Sequence, residues 1–153
     1  MNFLVVCANF KLTDYSSVCN FLVHPSIRKE HHETVATKIR TFLNDIYYAD
    51  GDTEVKESIR KERDELYKTK PEIKPFDDIY ACIRDMLLQS EIRVETVNSD
   101  SEKPINVEQG FNIVVGGNIL GRGITFPNLQ TVYYSRTAKD QHEVILLIPI
   151  CLK

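Results

Sequence analysis

Apolar residues recur along the chain with two spacings, one typical of strands and one typical of helices. Four short runs have the composition of β-strands: 19–24, 92–97, 112–115 and 131–135. Three longer segments repeat apolar residues at steps of three and four and predict helices: 26–46, 53–68 and 76–89. Strands that alternate with helices are typical of βαβ units. We therefore expect an α/β fold, with a mostly parallel sheet of four or five strands and helices on both faces.

Four segments need separate interpretation. The run 92–97 alternates apolar with charged side chains, so we expect it nearer an edge of the sheet. Residues 1–12 are apolar without clear alternation and predict either a helix or a buried strand. Residues 98–109 are polar and include Pro104, which favours a mobile loop. The apolar run 144–152 is either an extra buried strand or the result of a continuation that was replaced or cut.

The size and composition of the chain fit one globular domain. Its 153 residues allow a sizeable core, and we expect a single domain over 1–153 with a helical insertion at about 50–90. The formal net charge of −3 gives no overall basic surface for nucleic acid, so such a role needs a local patch. The four cysteines are scattered, which indicates reduced, buried thiols in a cytoplasmic protein. No run approaches the roughly 20 apolar residues of a membrane span, so no membrane partner is expected.

A glycine-rich stretch after the third predicted strand carries the most information. Residues 116–125 read GGNILGRGIT and are called the glycine motif below. Glycine lets a backbone adopt positive φ and approach a ligand closely, and Arg122 presents five donors suited to phosphate or carboxylate. The spacing matches neither the GxGxxG fingerprint nor a Walker A loop. From the residues alone, the motif is either an ordinary turn between two strands or a loop that faces an anion or another domain.

The glycine motif and the strands around it resemble motif V of superfamily II helicase-like proteins. In particular, the stretch 114–136 is similar to the Z-one domain, an endonuclease domain associated with restriction-modification systems. The resemblance implies a nucleotide- or nucleic-acid-facing surface at Gly116, Gly117, Asn118, Gly121, Arg122, Gly123, Thr125 and Arg136. A weaker match at 21–26, where the family has a strand that ends in a turn, adds His24 and Ser26 as strand-end candidates.

This resemblance implies a RecA-like fold, of the type found in the second lobe of P-loop NTPases. The expected function is that of a fragment of an ATP-dependent nucleic-acid enzyme, a hydrolase of restriction or defence type that is inactive alone. ATP and Mg would belong to the complete enzyme and not to this chain. Its expected partners are the first RecA-like lobe or other domains of the same enzyme, and DNA. The alternative is a non-enzymatic interaction module, a truncated or degenerate relative.

Several sequence signatures of catalysis are missing from the chain. It contains no Walker A sequence, no DEx[DH] box and no motif VI arginine, and no nuclease set of two acids and a lysine at usable spacing. The triplet His31-His32-Glu33 superficially suggests a metal cluster, but adjacent helical residues point to different faces, so surface positions are expected. No metal site is therefore predicted, and the catalytic residues stay unknown.

Overall fold

The computed structural model describes residues 1–14, 16–25, 28–97, 105–117 and 125–134. These residues form four helices and four strands. In chain order they are α1 (Asn2–Thr13), β1 (Val18–His24), α2 (Lys29–Tyr48), α3 (Thr53–Tyr67), α4 (Phe76–Leu88), β2 (Ile92–Val97), β3 (Gly110–Gly116) and β4 (Leu129–Tyr134). The predicted strands and helices are confirmed within a few residues, and residues 1–12 adopt the helical alternative. The apolar run 144–152 and most of the expected loop, 98–104, lie outside the described residues.

The four strands form one parallel sheet in the order β2-β3-β1-β4. The α/β class is thus confirmed, and the architecture is compatible with a RecA-like fold. Strand β2 lies at an edge, as its alternating pattern predicts. The register pairs β1 with β3 from Val18 beside Gly110 to Val23 beside Val115. On its other side, β1 pairs with β4 up to His24 beside Tyr134, with a register shift between Asn20 and Phe21.

The strand order shows what kind of connection carries the glycine motif. Strands β3 and β4 run parallel and are separated by β1, so residues 117–128 must return from the carboxyl edge of the sheet to its amino edge. The same holds for residues 98–109, which join the parallel neighbours β2 and β3. We call these the first crossover (98–109) and the second crossover (117–128). Parallel strands require a crossover of about a dozen residues or more, and the second crossover has this length. Residues 118–124 of the glycine motif lie outside the described residues, so both interpretations of the motif stay predictions.

One face of the sheet carries a compact apolar cluster. Leu22 and Val114 face each other on the central strands, and Val97 from β2 packs with them. The described ends of both crossovers complete the cluster through Ile105 and Val107 on the first and Phe126 on the second. The two crossovers therefore end on the same face of the sheet.

The chain divides into two compact units, the first with Met1–Ser17 and Thr41–Ile92 and the second with Val18–Arg40 and Arg93–Lys153. In the first unit, α1 packs against α3 and α4. The buried apolar side chains of this unit also come from α3, α4 and the connection between them: Ile59, Ile73, Ile79, Cys82, Ile83 and Met86. The single-domain interpretation with an insertion at about 50–90 stays a prediction.

Local sequence explains where the helices of the first unit begin and what joins them. Gly51 has a φ of 85°, and Asp52 caps α3 by accepting a hydrogen bond from the Glu54 N–H at 2.7 Å. At the other end of the unit, Lys11 Nζ lies 2.7 Å from Glu91 Oε1 and 3.1 Å from Asp85 Oδ2. These charged contacts join the last turn of α1 to the end of α4.

Candidate functional site

The carboxyl edge of the sheet brings together the two regions that the sequence singles out. Since Val23 pairs with Val115, the next residues along, His24 and Gly116, lie side by side where β1 and β3 end. Both His24 and Gly117 are buried. Ligands of open parallel sheets bind beyond the carboxyl ends of the strands. The start of the glycine motif and the end of β1 therefore share this edge of the sheet.

The described residues include only part of the predicted site. Gly116, Gly117 and His24 lie at the carboxyl edge, while Thr125 is exposed on the second crossover. The other candidates, Ser26, Asn118, Gly121, Arg122, Gly123 and Arg136, lie outside the described residues. The roles assigned to all of these positions stay predictions.

A buried pair of asparagines lies on the sheet face that carries the apolar cluster, nearer the amino edge of the sheet. Asn20 on β1 and Asn112 on β3 are register partners with 0% and 1% of their surface exposed. Asn112 Nδ2 donates to Asn20 Oδ1 at 2.9 Å, and also to the Gln109 carbonyl at 3.1 Å. The sequence-based predictions do not include this pair. Its signal was available, because each asparagine interrupts an apolar strand where an aliphatic residue is usual.

The amide of Asn20 also holds the ends of both crossovers. Its Nδ2 donates to the Val107 carbonyl of the first crossover at 2.9 Å and to the Pro127 carbonyl of the second. The Asn20 backbone N–H donates to the Asn128 carbonyl at 3.1 Å. Asn128 itself has a φ of 47°, a left-handed conformation that asparagine tolerates better than most residues. One side chain thus joins the central strand to both connections.

Helix α2 contacts the edge strand through charged side chains. Glu33 accepts hydrogen bonds from Arg40 Nη1 at 2.8 Å and from the Thr96 hydroxyl at 2.9 Å. These two hydrogen bonds, from Arg40 first, hold the pKa of Glu33 below its ordinary value. The prediction of surface positions for the His31-His32-Glu33 triplet is correct for His31 and Glu33, but wrong for His32, which is buried. His32 lies on the inward face of α2, whereas His31 and Glu33 on either side of it point outward.

The basic residues of α3 lie against aromatic rings. The Arg60 guanidinium lies 3.8 Å from the centroid of the Phe76 ring, and Lys56 Nζ lies 5.3 Å from that of Tyr80. Arg63 lies 4.8 Å from the Tyr67 ring centroid, and its Nε donates to the Lys74 carbonyl at 3.1 Å. These contacts stabilise the packing of α3 against its neighbours.

In the part of the chain that the structure describes, no group of three or more His, Cys, Asp or Glu side chains could hold a metal ion. None of the described helices combines the length and apolar character needed to cross a membrane. Cys7, Cys19 and Cys82 are buried thiols outside any disulfide bond, as predicted for structural cysteines.

The fold and the edge geometry define an α/β protein with a parallel sheet, in which a glycine-rich crossover starts at the carboxyl edge. The chain belongs to the Z1 domain family, whose family profile matches residues 1–146. This match confirms the Z1 domain that the glycine motif and its flanking strands predict. No curated protein and no solved structure matches the chain.

Proposed function

We propose that this Z1 domain is the second, helicase-like lobe of an ATP-dependent nucleic-acid enzyme of the restriction or defence type, with DNA as its substrate. One observation carries the proposal: the glycine motif begins at the carboxyl edge of a parallel sheet, beside the end of β1. In open parallel sheets this edge carries the loops that bind ligands. The likeness of the motif to motif V supports the same assignment.

In this proposal Arg122 faces a phosphate or the partner lobe. Glycines on both sides leave its backbone open to close approach, and its planar guanidinium can make two parallel hydrogen bonds to an oxyanion. The chain has no Walker A sequence, so it lacks the backbone N–H groups and the lysine that hold the β- and γ-phosphates. ATP and Mg would therefore be bound mainly by the first lobe, and the isolated chain should not hydrolyse ATP.

ATP hydrolysis by the chain alone and by the complete enzyme tests the proposal. We expect no turnover by the purified chain, and loss of DNA-coupled hydrolysis in the complete enzyme on Arg122→Ala. The control is Arg60→Ala, which removes an exposed arginine of α3 and should leave hydrolysis unchanged. Steady turnover by the isolated chain that is lost on Arg122→Ala would overturn the proposal. So would a complete enzyme that tolerates this change.

The stability of the isolated chain gives a second readout on Arg122. If Arg122 serves a ligand or a partner lobe, Arg122→Ala should change the free energy of unfolding by no more than about 0.5 kcal/mol, as is usual at surface positions. Thermal unfolding followed by circular dichroism measures this difference. A loss of several kcal/mol would make Arg122 a structural residue instead.

A non-enzymatic interaction module is the second candidate function. It is favoured by the lack of a Walker A sequence, a DEx[DH] box and a motif VI arginine in the chain. The reading frame on either side of the chain separates the two candidates. A frame that encodes a phosphate-loop lobe and a motif VI arginine supports the enzyme, whereas a frame without either supports the interaction module.

A further inference from the structure

The second crossover leads from the proposed site to the start of β4, and Asn20 on the central strand β1 fixes its far end. The crossover starts at Gly117, passes through the glycine motif, and ends at Asn128 next to β4. At that end, the Asn20 side chain and backbone bind the carbonyls of Pro127 and Asn128. Phe126, the residue before Pro127, packs onto the apolar cluster. The segment that directly follows the motif is therefore fixed to the central strand.

The first crossover is fixed by the same side chain. An asparagine amide has two N–H donors and one carbonyl acceptor. In Asn20, one donor binds the Val107 carbonyl, the other binds the Pro127 carbonyl, and the oxygen accepts from Asn112. Every hydrogen-bonding group of the buried amide is thus used.

An apolar side chain could fill the same volume but could not bind these carbonyls. Most residues of β1 and β3 around Asn20 are apolar, so packing alone would select leucine or valine here. A buried polar side chain that is fully hydrogen-bonded specifies one arrangement of the segments it joins. At Asn20, those segments are the ends of the two crossovers.

We propose that Asn20 is a positioning residue for the glycine motif, and that it couples the motif to the first crossover. Asn20 fixes Pro127 and Asn128, just after the motif, while Gly116 at the start of the motif belongs to β3. Because one amide binds both crossovers, a shift of one crossover moves that amide and weakens its hydrogen bond to the other. The assignment of the motif as the functional element rests on the proposed function, but the anchoring itself does not.

Local proteolysis of the full chain tests this anchoring. Asn20→Leu keeps the branched shape of the side chain but removes both donors, so the carbonyls of Val107 and Pro127 lose this partner. We expect trypsin to cleave after Arg122 about tenfold faster in this variant, in line with the loss of buried hydrogen bonds. The matched control is Val23→Ala, which truncates another buried side chain of β1. This change leaves the Asn20 amide and its hydrogen bonds to both crossovers in place. It lowers general stability without releasing the motif.

Hydrogen exchange followed by mass spectrometry gives the signature of coupling. In Asn20→Leu, peptides that cover 105–109 and 125–128 should both exchange faster, by a similar factor, than in Val23→Ala at equal thermal stability. Equal cleavage after Arg122 in the two variants would overturn the proposal. So would faster exchange at only one of the two crossovers.

A milder variant keeps the test valid if Asn20→Leu does not fold. Asn112→Ala removes the donor to Asn20 Oδ1 and the hydrogen bonds to the Gln109 and Gly110 carbonyls, and it leaves the Val107 and Pro127 carbonyls bound by Asn20. Asn112 Oδ1 has no donor among the described residues, so its loss also removes an unsatisfied buried acceptor. The peptide that covers 125–128 carries the test here, because the lost hydrogen bonds to Gln109 and Gly110 act on the first crossover directly. We expect a smaller acceleration in that peptide, about threefold, and no change there would refute the coupling. Failure of the proposed function would appear instead as full DNA-coupled hydrolysis by Arg122→Ala, with the anchoring unchanged.

Discussion

Replacing Arg63 by alanine separates a structural arginine of α3 from an exposed one. Arg63 is mostly buried, with 17% of its side chain exposed. Its Nε donates to the Lys74 carbonyl at 3.1 Å and its Nη2 to the Ile73 carbonyl at 3.4 Å. The same guanidinium lies over the ring of Tyr67. Arg63 therefore joins α3 to the segment that leads into α4.

The expected cost of Arg63→Ala follows from these contacts. The charge-assisted hydrogen bond to Lys74 contributes about 1.5 kcal/mol, and the longer one to Ile73 contributes less. The contact with the Tyr67 ring adds about 0.5 kcal/mol, and the ion pair with the exposed Asp64 adds little. We expect a total loss of about 2 kcal/mol. For a chain of this size, that loss lowers the Tm by roughly 4–8 °C.

The matched control is Arg60→Ala, three residues earlier on the same helix. Arg60 is exposed and lies over the Phe76 ring, so its loss should cost only about 0.5–1 kcal/mol. Urea unfolding of both variants, with equal m-values, measures the difference. Arg63→Lys should recover only part of the stability, because lysine cannot reproduce the planar arrangement of donors. Equal losses for Arg63→Ala and Arg60→Ala would refute this reasoning.

Two further predictions concern titratable groups. Because the folded-state pKa of Glu33 is lowered, its contribution to stability is present above its ordinary value of 4.5 and is lost as pH falls through the folded pKa. Glu33→Gln should thus cost up to about 1 kcal/mol at neutral pH and progressively less as the pH falls below 4.5 in urea unfolding, and a cost that does not change with pH would contradict the lowered pKa. Burial raises the pKa of the Cys82 thiol, so Cys82 should react with a maleimide far more slowly in the native chain than in denaturant, as peptide mass mapping would show. Fast native labelling would contradict its burial.

The sequence predicts the elements well because each one has a clear apolar pattern. The runs around Cys19, Ile113 and Val132 are short and β-rich, and α2, α3 and α4 each carry one apolar stripe. Helix α1 is harder to predict, since its apolar residues surround the helix and leave no periodicity to separate it from a buried strand. The edge position of β2 follows from its alternating charges.

The topology and the asparagine pair are beyond what the sequence pattern predicts. Strand order depends on which strands pair, and no local sequence pattern shows that β1 lies between β3 and β4. Without that order, a crossover of a dozen residues looks like a loop between neighbouring strands. Asn20 and Asn112 lie 92 residues apart and meet only through the register of the sheet. At the candidate site, the shared edge of His24 and Gly116 could be predicted from parallel pairing alone.

The contact between α2 and β2 has a consequence for self-association. An edge strand presents unpaired N–H and C=O groups that can pair with a strand from another molecule. Here Arg40 Nη2 donates to the Val94 carbonyl at 3.0 Å and occupies one of these acceptors with a charged side chain. Arg93 and Glu95 place further charges along the same strand. Strand β2 is therefore a poor template for intermolecular β-pairing, and this protection depends on an arginine supplied by the neighbouring helix.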